Sequence, residues 1–312
     1  MNAIIFPGQG SQVVGMGLEF YNNFEIVKKI FKEADEKLNY KISKIILEGP
    51  DDKLKLTENT QPAILTVSFA IFSVLKKEFN FDFHSTKFFA GHSLGEYSAL
   101  VCSESLEFND ALFLLYERGK SMQEAVPVGK GSMIAVLGSK LNELKKLIQE
   151  SNLKGVCEIA NDNAEGQTII SGDAACIESF QKVLKDNKKK SISLNVSAPF
   201  HCSLMNSAAS KMKDKINSIN FKKPIFDIIC NVTSEPENNP ENIKRLLIDQ
   251  ICSTVRWRES IIYMSKKKIT NFIEIGPGKV LSGMIKRTVK NNNCFSINSI
   301  DDMKKTVNEF KK

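Results

Sequence analysis

The stretch Lys87-Phe88-Phe89-Ala90-Gly91-His92-Ser93-Leu94-Gly95 constrains the fold more than any other part of this 312-residue chain. An apolar run of strand character ends at a glycine, and from Leu94 to Cys102 the pattern becomes that of a helix. A strand turning sharply into a helix, with small residues on both sides of the turn, belongs to the α/β class. It leaves the turn serine exposed on an elbow. The surroundings agree with that class. Residues 3–6 read as a buried strand broken by Pro7-Gly8-Gln9-Gly10, and strands are predicted at 226–230 and 270–275. Helices are predicted near 24–38, 61–79, 109–125, 203–218, 240–252, 257–266, 279–289 and 301–311. The helix from 61 has Pro62 in its first turn, where a missing N–H costs little, and its run from Ala63 to Leu75 is apolar nearly all round.

From Pro127 the texture changes. Strand 132–137, helix 140–151, strands 156–160 and 167–171, helix 173–186 and strand 190–194 give the order β-α-β-β-α-β. The expected architecture is an α/β-hydrolase-like core with a parallel sheet, residues 1–126 and 197–312, carrying an inserted ferredoxin-like subdomain at 127–196.

Composition excludes several function classes. The net charge of +7 comes mostly from lysines spread over helix surfaces, without an arginine stripe or interleaved aromatics, so no nucleic-acid partner is expected. No apolar stretch is long enough to cross a bilayer, and Met1–Pro7 has no basic leader region, so neither membrane nor secretion is expected. Seven cysteines, odd in number and without a Cys-x-x-Cys pair, argue against a disulfide framework or a metal site. They point to a reducing, cytoplasmic compartment.

A serine hydroxyl needs a base and oxyanion donors to act as a nucleophile. At Ser93 the helix that follows aims free N–H groups and its positive end at the turn. The chain has three histidines. His84 lies in a polar loop. His92 adjoins the serine, but its side chain should point elsewhere. His201 follows Ala198-Pro199-Phe200, is expected to open a helix, and is the candidate base. Asp110, Asp162, Asp173 and Asp186 lie between Ser93 and His201, yet none has a distinctive setting, so a backbone carbonyl could orient the base instead. Arg118 falls within the apolar stripe Ala111, Leu112, Leu115, Met122 and Ala125. A buried guanidinium is costly unless an anion meets it, so Arg118 reads as a receptor for a substrate carboxylate or as half of a structural ion pair. The loops Gly8-Gln9-Gly10 and Gly276-Pro277-Gly278 lack the third glycine of a dinucleotide fingerprint, and Gly119-Lys120-Ser121 lacks the first glycine of a P-loop. The first of these loops could supply an oxyanion donor instead.

Together these motifs resemble the bacterial malonyl-CoA:acyl carrier protein transacylases. The matching pieces are Phe6–Gln12, Gly91–Tyr97, Arg118-Gly119-Lys120 with Met122-Gln123, Ala198–His201 and Glu274–Leu281. They appear in family order over nearly the whole chain. In the loop 161–167 the chain carries Glu165 where family members often have proline. The resemblance implies that Ser93 is acylated by malonyl-CoA and passes the malonyl group to the phosphopantetheine thiol of acyl carrier protein, with His201 shuttling the proton. It implies that the Gln250 main-chain carbonyl orients His201, that the N–H groups of Gln9 and Leu94 form the oxyanion hole, and that Arg118 clamps the malonyl carboxylate. Met122, His92, Phe200 and Asn163 are expected in the substrate pocket. A coenzyme A thioester is the substrate, with no bound cofactor and no metal, and a monomer is expected. The competing readings are a serine esterase or thioesterase and a non-catalytic carrier-binding protein.

Overall fold

The structure is a computed structural model that describes residues 1–196 and 198–311. Ser197, the expected first residue of the resumed core, and Lys312, its expected last, lie outside the described residues. The strands are β1 Asn2–Phe6, β2 Thr86–Gly91, β3 Gly131–Leu137, β4 Cys157–Ala164, β5 Gln167–Asp173, β6 Lys190–Ser193, β7 Asp227–Ile229, β8 Pro236–Glu237, β9 Asn271–Ile275 and β10 Asn293–Ile297.

Two separate sheets form. The larger has the order β10-β9-β1-β2-β7-β8 and is parallel except for the β7–β8 pair. All five residues of β1 are buried, as a central parallel strand covered on both faces requires. The glycine loops after β1, β2 and β9 all leave from the carboxyl edge of this sheet. The chain order reverses there between β1 and β9, which makes that edge a natural ligand crevice. The smaller sheet, β4-β5-β3-β6, is antiparallel throughout. Helices Leu141–Glu150 and Ala174–Asp186 close its core of Ile134, Val136, Leu144, Ile170, Phe180 and Leu184.

Several expectations need correction. The helix expected from 61 starts at Thr57, so Pro62 is an interior residue. The first turn is held from outside: Asn59 Nδ2 donates to the Lys53 carbonyl, and Thr60 Oγ1 to that of Leu54. The proline's missing N–H would have met only the Glu58 carbonyl, still inside the first two turns. Residues 161–164, expected in a loop, extend β4, and the connection to β5 is the two-residue turn Glu165-Gly166, with Gly166 at φ 69°. His201 does not open a helix. It stands at φ 58°, ahead of the short turn Ser203–Met205 and the helix Asn206–Ser218. The strands β8 and β10 and the short helices Leu18–Asn23, Ile42–Glu48 and Asp51–Leu54 are additions. Among the described residues no helix is long and apolar enough to cross a membrane.

Candidate active site

Ser93 lies between β2 and the helix Gly95–Cys102, at φ 52°. The left-handed conformation lifts its side chain off the turn, a strain that persists only where the surroundings impose it. The flanking glycines show how. A Cβ on Gly91 would lie 1.9 Å from the Gly95 carbonyl, and one on Gly95 would lie 2.3 Å from the Phe6 carbonyl. Only glycine at both positions lets the helix settle onto the ends of β1 and β2.

His201 meets this serine across 108 residues of sequence, with Nε2 2.8 Å from Ser93 Oγ. Its Nδ1 lies 2.9 Å from the main-chain carbonyl of Gln250. A carbonyl can only accept, so Nδ1 carries the hydrogen and Nε2 is left as the acceptor for the serine hydroxyl. Burial, reinforced by the Arg118 charge, lowers the His201 pKa to about 3 and keeps the ring neutral. None of the four candidate aspartates holds the ring. Asp162, for example, accepts from Arg258 Nε at 2.9 Å, and Asp173 from the Val156 N–H at 2.6 Å.

Arg118, on the helix Phe108–Glu124, is 1% exposed. Nη1 donates to Gln61 Oε1 and Nη2 to Gln250 Oε1, both at 2.8 Å, and Nη2 also reaches Ser93 Oγ at 3.2 Å. Among the described residues no carboxylate forms an ion pair with it, and Glu96 acts on it only through longer-range attraction. The structural ion pair is therefore absent, and a full positive charge stands beside the serine.

A cavity of about 770 Å³ opens over this group. It lies between the carboxyl edge of the large sheet and the smaller sheet. Gln9, Ser93, Arg118 and His201 line one side, and Met133, Asn163 and Ile169 the other. Met122, His92 and Phe200 also line it. His92 Nε2 bonds Asn163 Oδ1 at 2.8 Å, its ring rests edge-on against Trp257, and burial lowers its pKa. The N–H groups of Gln9 and Leu94 have no acceptor among the described residues. The Ser93 N–H is taken by Asn231 Oδ1 at 2.7 Å. His84 is exposed and remote from this group.

Sequence reasoning missed Gln61, Asn231, Glu96 and the side chain of Gln250. Glu96 Oε2 accepts from the Asn231 N–H and from Gln250 Nε2, both at 2.9 Å, and burial raises its pKa to about 7. Gln250 Nε2 also donates to the Ser93 carbonyl at 3.1 Å. Glu96 lies inside the recognised motif Gly91–Tyr97 but carried no role there, and no periodicity marks Asn231 or Gln61.

This arrangement can polarise a serine hydroxyl, hold an anionic group beside it and receive an oxyanion. Comparison with known proteins agrees in kind. The profile of the acyl transferase domain matches residues 3–312. The malonyl CoA-acyl carrier protein transacylase of Bacillus subtilis strain 168 is 41% identical over 99% of this chain and 97% of its own length. The chain belongs to the malonyl CoA-acyl carrier protein transacylase family. Among solved structures, the acyl-carrier-protein-S-malonyltransferase of Bartonella henselae superposes with a TM-score of 0.96 at 39% identity, covering 100% of this chain and 99% of that one. A malonyl-transacylase solved in complex with a type II PKS acyl-carrier protein gives a TM-score of 0.95 at 35% identity, covering 99% of each chain. For this family member, the mixed α/β fold with a parallel-rich sheet and a separate antiparallel sheet is the expected frame.

Proposed function

We propose that this chain transfers the malonyl group of malonyl-CoA to the phosphopantetheine thiol of acyl carrier protein, for fatty acid synthesis, through a malonyl ester on Ser93. The observation that carries this reading is the buried, carboxylate-free Arg118 guanidinium 3.2 Å from Ser93 Oγ. Such a group asks for an acyl chain that brings its own carboxylate.

In the first half-reaction the Ser93 hydroxyl gives its proton to His201 Nε2 as Oγ attacks the thioester carbon. The N–H groups of Gln9 and Leu94 receive the oxyanion. The C–S bond breaks, and the coenzyme A thiolate takes the proton from His201. In the second, the carrier thiol passes its proton to His201 and its sulfur attacks the ester carbon. The C–O bond breaks, and Ser93 Oγ recovers the proton. The Gln250 carbonyl orients His201, a neutral counterpart to the acid of a triad. Met122, His92, Phe200 and Asn163 shape the acyl and pantetheine space. The reaction draws on no bound cofactor, since coenzyme A enters as the leaving group.

The lobes follow the same reading: a hydrolase-like core of 1–126 and 197–312, and a ferredoxin-like unit of 127–196. Counting strands within the smaller unit, its spatial order is 2-3-1-4 with two helices on one face, which supports that assignment. Seven cysteines in no disulfide support a reducing, cytoplasmic setting.

Intact-mass analysis tests the reading. Malonyl-CoA should add one malonyl group at Ser93, and added carrier protein should remove it by becoming malonylated itself. Rapid loss of the group to water instead would make the protein a hydrolase. Arg118→Ala should reduce the preference for malonyl-CoA over acetyl-CoA by on the order of 10²-fold, because the carboxylate loses its buried cation. Retention of full preference would refute the clamp.

A further inference from the structure

Ser93 and Asn231 are 138 residues apart, yet the serine's own N–H is spent on the Asn231 side chain. The parallel ladder between β2 and β7 ends at the pair Ala90–Ile229. One turn further, the Asn231 amide supplies what a backbone rung would have supplied. Oδ1 accepts from the Ser93 N–H and Nδ2 donates to the Gly91 carbonyl, both at 2.7 Å. Asn231 is fully buried, and its main chain is tied down too, the N–H to Glu96 Oε2 at 2.9 Å and the carbonyl to the Arg256 N–H at 3.0 Å. All four of its polar groups are in use. An amide can serve as donor and acceptor at once, and neither an ionised carboxylate nor an aliphatic residue of that size can.

We propose that Asn231 is a positioning residue for the acyl-transfer step: by bridging the Ser93 N–H and the Gly91 carbonyl it fixes the peptide planes of the elbow so that the Leu94 N–H stays unpaired for the oxyanion. The proposal rests on Ser93 being the acylated residue. Without the bridge, the Ser93 N–H would need a new acceptor and the strained turn could relax towards one. Reorienting one peptide moves both the Leu94 N–H and the serine Oγ. The cavity wall and Arg118 would stay in place, so the loss belongs in the chemical step and not in substrate binding.

Rapid-quench acylation by malonyl-CoA, with thermal unfolding of each protein, tests this on Asn231→Ala and Asn231→Asp. In the Ala variant the acylation rate constant should fall about 100-fold while KM for malonyl-CoA stays within about threefold. Asn231→Asp keeps an acceptor for the Ser93 N–H but sets a carboxylate oxygen against the Gly91 carbonyl. Protonating it restores the donor, so acylation by this variant should accelerate as the pH falls, a gain the wild type lacks. The groups around the introduced carboxyl are Glu96, Cys230, His201, Arg118 and Arg256. Glu96 favours its protonation, Arg118 and Arg256 oppose it, and burial keeps His201 neutral on the acid side. An Ala variant acylated within about threefold of wild type, corrected for folded fraction, overturns the proposal. So does an Asp variant with no acid gain, which decides the matter if the Ala variant does not fold. If neither variant folds, Asn231 is a folding residue and the proposal fails. A wild-type protein that takes no malonyl group would refute the Ser93 reading itself, a distinct result.

Discussion

Ser93 and His201 touch at 2.8 Å and both stand at positive φ, 52° and 58°, yet the balance of local and remote support differs between them. The serine turn is shaped first by its own neighbours, with the Asn231 and Gln250 amides bracing it from afar. Gly91 and Gly95 permit the contact, and the N–H groups of Gly95 and Glu96 return to the carbonyls of His92 and Ser93. The histidine turn is held from far away. Its ring leans on the Gln250 carbonyl, and Pro199 packs against Gly131 of β3. The Glu158 carboxylate of β4 accepts the Ser203 N–H at 2.9 Å and its hydroxyl at 2.5 Å. One half of the pair is thus set mainly by steric rules at the turn itself, with remote amides as braces, and the other depends on the smaller sheet docking on the larger.

The sharpest way to break the comparison is to remove the partners themselves. Ser93→Ala and His201→Ala should each reduce turnover by on the order of 10⁶-fold, and the double variant should be little worse, because the two act as one unit. Intact mass should show no acyl adduct on Ser93→Ala. The supports come next. Gly91→Ala forces a Cβ into the helix backbone and should cost more than about 4 kcal/mol in urea unfolding. Glu158→Gln should cost about 1–3 kcal/mol. It should slow acylation about tenfold by loosening the histidine turn. Equal costs for the two would erase the distinction between local and remote support.

Titration separates the halves by sign. His201 is depressed from its ordinary value to about 3, so its contribution to stability is whole above about pH 6.5 and is lost as the pH falls towards 3. Glu96 is raised from 4.5 to about 7, so its contribution is whole below 4.5 and is lost as the pH rises through 7. Urea midpoints across pH should show both slopes, and Glu96→Gln should remove only the one on the neutral side. In kcat/KM for the free enzyme, the acid limb due to His201 should lie below the usual histidine range. The smallest effect is expected at the exposed His84, where alanine should leave turnover and unfolding within error.

The same division governs what could be read in advance. Ser93 was legible because its context is nine consecutive residues, and Arg118 because a helical period exposes a charge out of place. The central strands β1, β2 and β9 were legible as apolar runs between glycine breaks. His201 was legible largely by elimination among three histidines, and its turn was misread as a helix start because Glu158 and Gln250, which hold it, are distant in sequence. The Gln250 carbonyl came only from family resemblance, since a main-chain acceptor leaves no mark in the side-chain pattern. Asn231 and Gln61 were invisible because an amide has no period and no charge. The edge strands β8 and β10 were missed because a short, half-exposed strand carries too few buried residues to show alternation.

The Arg118 contact with Ser93 has a consequence for the resting protein. Burial does most to weaken the proton affinity of His201, and the same cation that would hold an incoming carboxylate weakens it further. Under the proposed reaction, a cargo that brings its own negative charge cancels that influence on arrival. The base would then be stronger with the cargo in place than without it, by the part of its depression that the cation contributes and burial does not.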